Sequence, residues 1–239
     1  MTPEELLEFL QRTVDEGFVS QIYSAASVGE AEVLETLREA DLDVYSLTEI
    51  HRLPTEALDA VADAHLKVAR RVGAVAGVTY GAFGILTAIP EIVHLMVAVL
   101  RTAQRMSLTY GHEIQSFQGN LQLWEAVAKS FGIDPESYEG TEPQGLGTLP
   151  VPKFNSDQMK WNPIIFGVAR KVLITIGYIF LKKRWARAVP LIGIGLSGVG
   201  NYTLLKRFGR ELKEEFRGKH QMLGLRDDSN SIPIDFTVA

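Results

Sequence analysis

The sequence predicts an all-α protein: a compact multi-helix bundle in which two glycine-rich helices pack closely, with no significant sheet. Three observations carry this. Apolar residues return at three- and four-residue steps through nearly every segment. Gly73, Gly77 and Gly81 repeat every four residues, and Gly193, Gly195 and Gly198 form a second small-residue run. On helices, such runs are narrow strips that let another backbone approach. No stretch reads as a convincing strand, since Ile232-Pro233-Ile234-Asp235-Phe236 alternates but is short and contains proline.

Taken in order, Thr2-Pro3-Glu4-Glu5 has the hydroxyl, proline and acids that start a helix. Leu6, Leu7, Leu10 and Val14 supply its buried face, and Gly17 is placed to end it. Ser27 with Glu30, and Ser46 with Glu49, have capping-box spacing. A helix from Leu58 to Arg71 leads into the glycine segment. Pro90 ends or kinks that segment, biasing Ala88-Ile89 away from helix. A further helix runs from Pro90 to about Tyr110 and is closed by Gly111. Residues 114–131 place Leu121, Trp124, Val127, Ala128 and Phe131 on one side of another helix. Residues 139–160 have no period and are rich in glycine and proline, as a long loop would be. Asn162 then caps and Pro163 opens a helix through Trp185, and a last helix runs from about Val189 to Lys219. The expected organisation is acidic helices over 1–57 packed on a core of 58–222, with an irregular tail over 223–239.

Charge is divided along the chain. The net charge is -5, but residues 1–66 hold 15 acids and 3 bases, and the remainder holds 21 bases and 14 acids. The bases cluster beside apolar sequence, as Lys67, Arg70 and Arg71, then Lys182, Lys183, Arg184 and Arg187, then Lys206, Arg207 and Arg210. Flanking of this kind suits an anionic membrane surface; the plainer reading is a solvated helix face. No nucleic-acid-binding motif accompanies the clusters. With no cysteine, disulfides and thiolate metal sites are excluded. The N-terminal residues lack a secretory pattern, so the expectation is a cytoplasmic protein.

Segments 72–89 and 188–205 each hold 18 uncharged residues, at the lower limit for a membrane span, whereas 172–181 has only 10. Bases on both sides of 188–205 give no orientation bias. A peripheral or partly embedded helical protein fits better than spanning helices.

After Pro90 a polar stripe runs through the apolar sequence: Glu91, His94, Arg101 and Arg105. Glu91 and His94 form one E-x-x-H pair, but with no second copy a di-iron site is incomplete, and no metal or cofactor is expected. Arg101 and Arg105, with Asn201 at the end of the glycine run, are candidate ligand-binding residues; guanidinium groups suit phosphate or carboxylate. The competing readings are ion pairing with the N-terminal acids for the arginines and a helix cap for Asn201. Tyr110, His112 and Glu113 offer acid–base groups without a visible nucleophile. The sequence has no nucleophile elbow, P-loop or zincin motif.

GVTYGAFG, then Ala88-Ile89-Pro90-Glu91, then an apolar helix ending in Tyr110-Gly111-His112-Glu113, resembles the EcsC family. Val189-Pro190-Leu191-Ile192-Gly193 and the glycine-spaced run to Asn201 resemble its second half. The resemblance covers roughly 60–220. It implies a bacterial protein whose relatives include one encoded with a two-component ABC transporter, in a family without a settled molecular function. The function expected is therefore non-enzymatic: a membrane-associated helical protein binding anionic lipid, a membrane protein such as a transporter, or both. The alternatives are a ligand binder or enzyme built on Glu91, His94, Arg101 and Tyr110, and a soluble scaffold using the acidic N-terminal helices.

Overall fold

A computed structural model describes residues 3–81, 88–133, 161–185 and 193–230. Among these residues the chain is helical with short connections and no strand. The helices are α1 (Pro3–Thr13), α2 (Glu16–Ala26), α3 (Glu30–Glu39), α4 (Leu47–Ile50), α5 (Thr55–Gly81), α6 (Ala88–Thr109), α7 (Phe117–Ser130), α8 (Pro163–Trp185) and α9 (Gly193–Asn230).

Several boundaries follow from local chemistry. Asn162 Oδ1 accepts the Ile164 N–H at 2.9 Å ahead of α8, as its position before Pro163 predicts. Gly111 sits at φ 80, where the Gly111 N–H reaches Leu108 O and the His112 N–H reaches Ser107 O, closing α6 in a Schellman turn. Asp41, at φ 62, closes α3 the same way without the freedom of glycine.

Other boundaries differ from the sequence expectation. Helix α1 stops at Thr13, short of Gly17, because Asp15 caps a new helix by accepting the Phe18 N–H. Leu7 is 38% exposed, whereas Leu10 and Val14 of that face are buried in the core. Ser27 ends α2 and does not start α3, whose cap is Gly29. At Ser46 the capping box is displaced by one residue: Glu49 accepts the N–H of Tyr45. Ala88 and Ile89 are helical, so Pro90 falls in the first turn of α6, where its missing N–H costs nothing. The expected irregular tail is helical as far as Asn230. The loop expected over 139–160 and the alternating 232–236 lie outside the described residues.

Helices α5 and α9 form the most extensive pair. They run antiparallel. Glu56 and Asp59 meet Arg217, Asp63 meets Lys213, and Leu66 lies against Gly209, where a Cβ would come 2.4 Å from Leu66 Cδ2. Helix α6 runs back along α5, so that Tyr110 after its end reaches Asp59. Helix α8 is in turn antiparallel to α6. Its Gly177 abuts Met96 near the start of α6, and Trp161 before it packs with Tyr23 and Trp124, close to the turn that follows α6. The C-terminal ends of α5 and α8 and the N-terminal ends of α6 and α9 therefore share one end of the bundle.

The N-terminal helices lie along this core. Arg170 of α8 donates to the carbonyls of Gln11 and Val14, and the Val28 N–H donates to the buried Gln104 side chain of α6 at 2.9 Å. One continuous hydrophobic core runs from Leu10 to Phe216. Helix α8 is long and apolar enough over Pro163–Phe180 to cross a membrane, a longer window than 172–181 because it includes Arg170 and Lys171. Of that window 44% is buried within the bundle, Val168, Val172, Leu173 and Ile176 included, while Ile164 is 62% exposed.

Gly119 shows how tightly the α6–α7 turn is closed. A Cβ there would lie 1.9 Å from the carbonyl oxygen of Glu113, a backbone atom that cannot swing aside. Gly119→Ala is expected to lower stability by about 3 kcal/mol, read as a drop in Tm of roughly 8 °C in a thermal melt.

Candidate functional site

The two arginines of the α6 polar stripe have separate partners. Arg101 Nη2 donates to Ala25 O at 2.7 Å, and Arg105 Nη2 meets Glu32 Oε1 at 2.5 Å. Both guanidinium groups are thus turned toward the N-terminal helices, Arg105 in an ion pair with an N-terminal acid and Arg101 on a main-chain carbonyl. His94 is half-buried, and Glu91 is placed in α6 by its backbone alone. No group of three or more His, Asp or Glu residues suited to a metal occurs among the described residues.

Tyr110 lies in a second constellation instead. It is fully buried, and its hydroxyl donates to Asp59 Oδ1 at 2.6 Å. Asp59 also takes Arg217, whose Nε is 3.1 Å from Oδ2, close enough for ion pairing but off-axis for a hydrogen bond. Lys213 sits 3.8 Å from Asp59 and 3.0 Å from Asp63. Burial raises the tyrosine's pKa, and the bond to Asp59 with its negative charge raises it further, so the phenol stays protonated. Around it, three imidazoles reach main-chain carbonyls: His51 to Gly111 O at 2.8 Å, His112 to Phe216 O at 3.4 Å, and His220 to both Tyr110 O and Leu53 O. Glu113 is not part of this set; it is exposed and accepts the Ser116 N–H at 2.6 Å. The acid–base trio expected from the sequence is therefore split, with Tyr110 and His112 inward and Glu113 outward.

A third feature follows from the α5/α9 register. Over Glu56, Asp59 and Asp63, α5 is acidic and faces Lys213 and Arg217, so the charges complement. One turn further, α5 becomes basic through Lys67, Arg70 and Arg71, at the level of Arg210, Arg207 and Lys206 on α9. Apart from Arg210 with its neighbour Glu211, none of these six has an ion-pair partner among the described residues. Arg70 Nε is buried without a hydrogen-bond acceptor. Val68 at 51%, Val72 at 49% and Tyr202 at 40% exposure lie among them. Like charges on adjacent helices oppose packing, by a few tenths of a kcal/mol per exposed pair. The same end receives the C-terminal turn of α8, which carries Lys182, Lys183 and Arg184. Arg187 lies outside the described residues. Gly73, Gly77 and Gly81, and Gly193, Gly195, Gly198 and Asn201, fall in the helical stretches that continue α5 and α9 beyond the basic turns.

Sequence reading had not found Asp59, Lys213, Arg217, His51 or His220. A signal was present: acids at 56, 59 and 63, and bases at 213 and 217, are spaced for single helix faces.

Burial lowers the pKa of His112 from 6.5 to about 4, with minor help from the positive charges of Lys219, His51 and His220. Between those values the unfolded chain binds the proton and the folded chain does not, so stability rises with pH there. The contribution is complete above pH 6.5 and is lost as pH falls toward about 4. A decline of about 3 kcal/mol is expected over that interval in denaturant melts, and it should be absent in His112→Gln.

No curated protein and no solved structure matches this chain. The EcsC protein family matches residues 1–218, so the likeness expected over 60–220 extends through the acidic N-terminal helices as well. That match spans most of the described bundle, and the chain belongs to the EcsC protein family.

Proposed function

We propose that this protein binds the anionic surface of a membrane through the basic end of its α5/α9 pair and carries out no reaction there. The observation behind this reading is the reversal of charge along α5, from acids that meet Lys213 and Arg217 to bases at the level of further bases on α9. Lys67, Arg70 and Arg71 stand level with Lys206, Arg207 and Arg210, and of these only Arg210, beside Glu211, has a counter-charge among the described residues. Phosphate headgroups would supply the missing negative charge, and would relieve a repulsion that the fold otherwise retains.

The apolar residues interspersed there favour an interface over a free anion. Val68, Val72 and Tyr202 would enter the headgroup layer while neighbouring lysines and arginines stay at its surface. The uncharged segments 72–89 and 188–205 belong by sequence to the same end, which suits a peripheral or shallowly embedded protein at the cytoplasmic face. The reading that unites Glu91, His94, Arg101 and Tyr110 in one pocket gains no support, because Arg101 bonds to α2 and Tyr110 to α5.

Co-sedimentation with phosphatidylglycerol vesicles tests the proposal. Binding should weaken steeply with salt and be far poorer to phosphatidylcholine. Each base near an anionic surface contributes about 1 kcal/mol, so Lys206→Gln, Arg207→Gln and Arg210→Gln together should cost on the order of 100-fold in partitioning. Equal binding to neutral and anionic vesicles at all salt concentrations would refute it.

A further inference from the structure

Helix α1 brings acid to the end of the bundle where the bases collect. Its Leu10 lies against Gly177 of α8, where a Cβ would come 2.9 Å from Leu10 Cδ2. Arg170, earlier on α8, donates to the carbonyls of Gln11 and Val14. Going back along α1 therefore means going forward along α8, and the two helices run antiparallel. Both rise about 1.5 Å per residue, so the first turn of α1 falls level with the last turn of α8. Glu4 and Glu5 thus stand at the height of Lys182, Lys183 and Arg184. Glu4, Glu5 and Glu8 are exposed, and Glu8 pairs with Arg12 one turn on. We propose that the acidic start of α1 is a built-in restraint on membrane binding at this end, so that the protein settles only on a surface rich in anionic lipid. This rests on the membrane reading above and adds a regulatory element to it.

Acids at the edge of a basic face act in two settings. In solution they offset part of the positive charge of the α8 turn. Against a membrane they are repelled by the same headgroups that attract Lys67, Arg70, Arg71, Lys206 and Arg207. Position decides the size of the effect, because charges act across a Debye length of about 10 Å in 0.1 M salt. Glu35 and Glu39 of α3 are as exposed as Glu4 and Glu5, but they lie elsewhere. Glu32 of α3 meets Arg105 in the last turns of α6, and Leu47 O, after α3, lies beside Gly111. Helix α3 is therefore at the end of the bundle away from the bases. The acids of α1 also stand apart from its packing: Leu10 and Val14 are buried further along, and Leu7 is 38% exposed.

The test titrates the full chain with vesicles in which phosphatidylglycerol replaces phosphatidylcholine stepwise. Glu4→Gln with Glu5→Gln should partition on the order of 10-fold more strongly at intermediate phosphatidylglycerol content. Half-binding should move to a lower phosphatidylglycerol fraction, and the advantage should fade in high salt. Glu35→Gln with Glu39→Gln, which changes net charge equally, should leave the curve within about twofold of the unaltered protein. Equal gains from the two pairs would overturn the proposal. A gain that persists on pure phosphatidylcholine would overturn it as well, since it would mark a frayed α1 exposing its apolar face. If the unaltered protein prefers phosphatidylglycerol and the change at Glu4 and Glu5 adds nothing, this inference fails alone and the membrane reading stands. If neither the unaltered protein nor the variants prefer phosphatidylglycerol, the membrane reading falls and this inference falls with it.

Discussion

The register between α5 and α9 is the constraint from which the other features follow. It is fixed where Asp59 and Asp63 meet Arg217 and Lys213, and where the bare backbone of Gly209 admits Leu66. Two long antiparallel helices locked at that level have no freedom to choose their neighbours further along. The complementary half of the pair thus sets the like-charged half, and the basic end is a consequence of the acidic one. The ion pairs need not be strong for this. They lie at the bundle surface, where such pairs contribute up to about 1 kcal/mol each, and the buried Leu66 against Gly209 adds apolar contact between the two helices.

The opposite end is fastened by different chemistry. There the chain makes sharp turns, at Gly111 and between α4 and α5, and main-chain carbonyls are left without helical partners. The half-buried His51 and the buried His220 take carbonyls of these turns, His112 reaches Phe216 O within α9, and the Tyr110–Asp59 bond joins the set to the ion pairs of α9. Burying His112 among these turns makes this end sensitive to acid, since that ring has to stay neutral. At the basic end the bases are mostly exposed.

Much of this architecture was legible in the sequence, because helical periodicity is a local property. The Asn162-Pro163 start of α8, the stop at Gly111 and the apolar side of α7 all read directly. What failed were places where a neighbour decided the outcome. Gly17 resembled a helix end, but Asp15 had already capped the next helix. The last helix was expected to end at about Lys219, yet α9, anchored through Phe216 and His220, continues to Asn230. The Asp59–Tyr110 bond joins residues 51 apart in the chain, and no local pattern announces it. Arg101 and Arg105 were visible as a stripe, but whether they faced a ligand or the N-terminal helices depended on packing across more than 70 residues.

The orientation of the basic end is accessible to single labels, because the chain contains no cysteine. Spin labels at Val72→Cys, beside the bases, and at Tyr45→Cys, exposed ahead of α4, would be compared in solution and on anionic vesicles. The account predicts that the label at 72 gains contact with lipid-dissolved oxygen and loses contact with a water-soluble relaxant, while the label at 45 does not change. Unchanged accessibility at both positions on vesicle-bound protein, or entry of position 45 in place of 72, would contradict it.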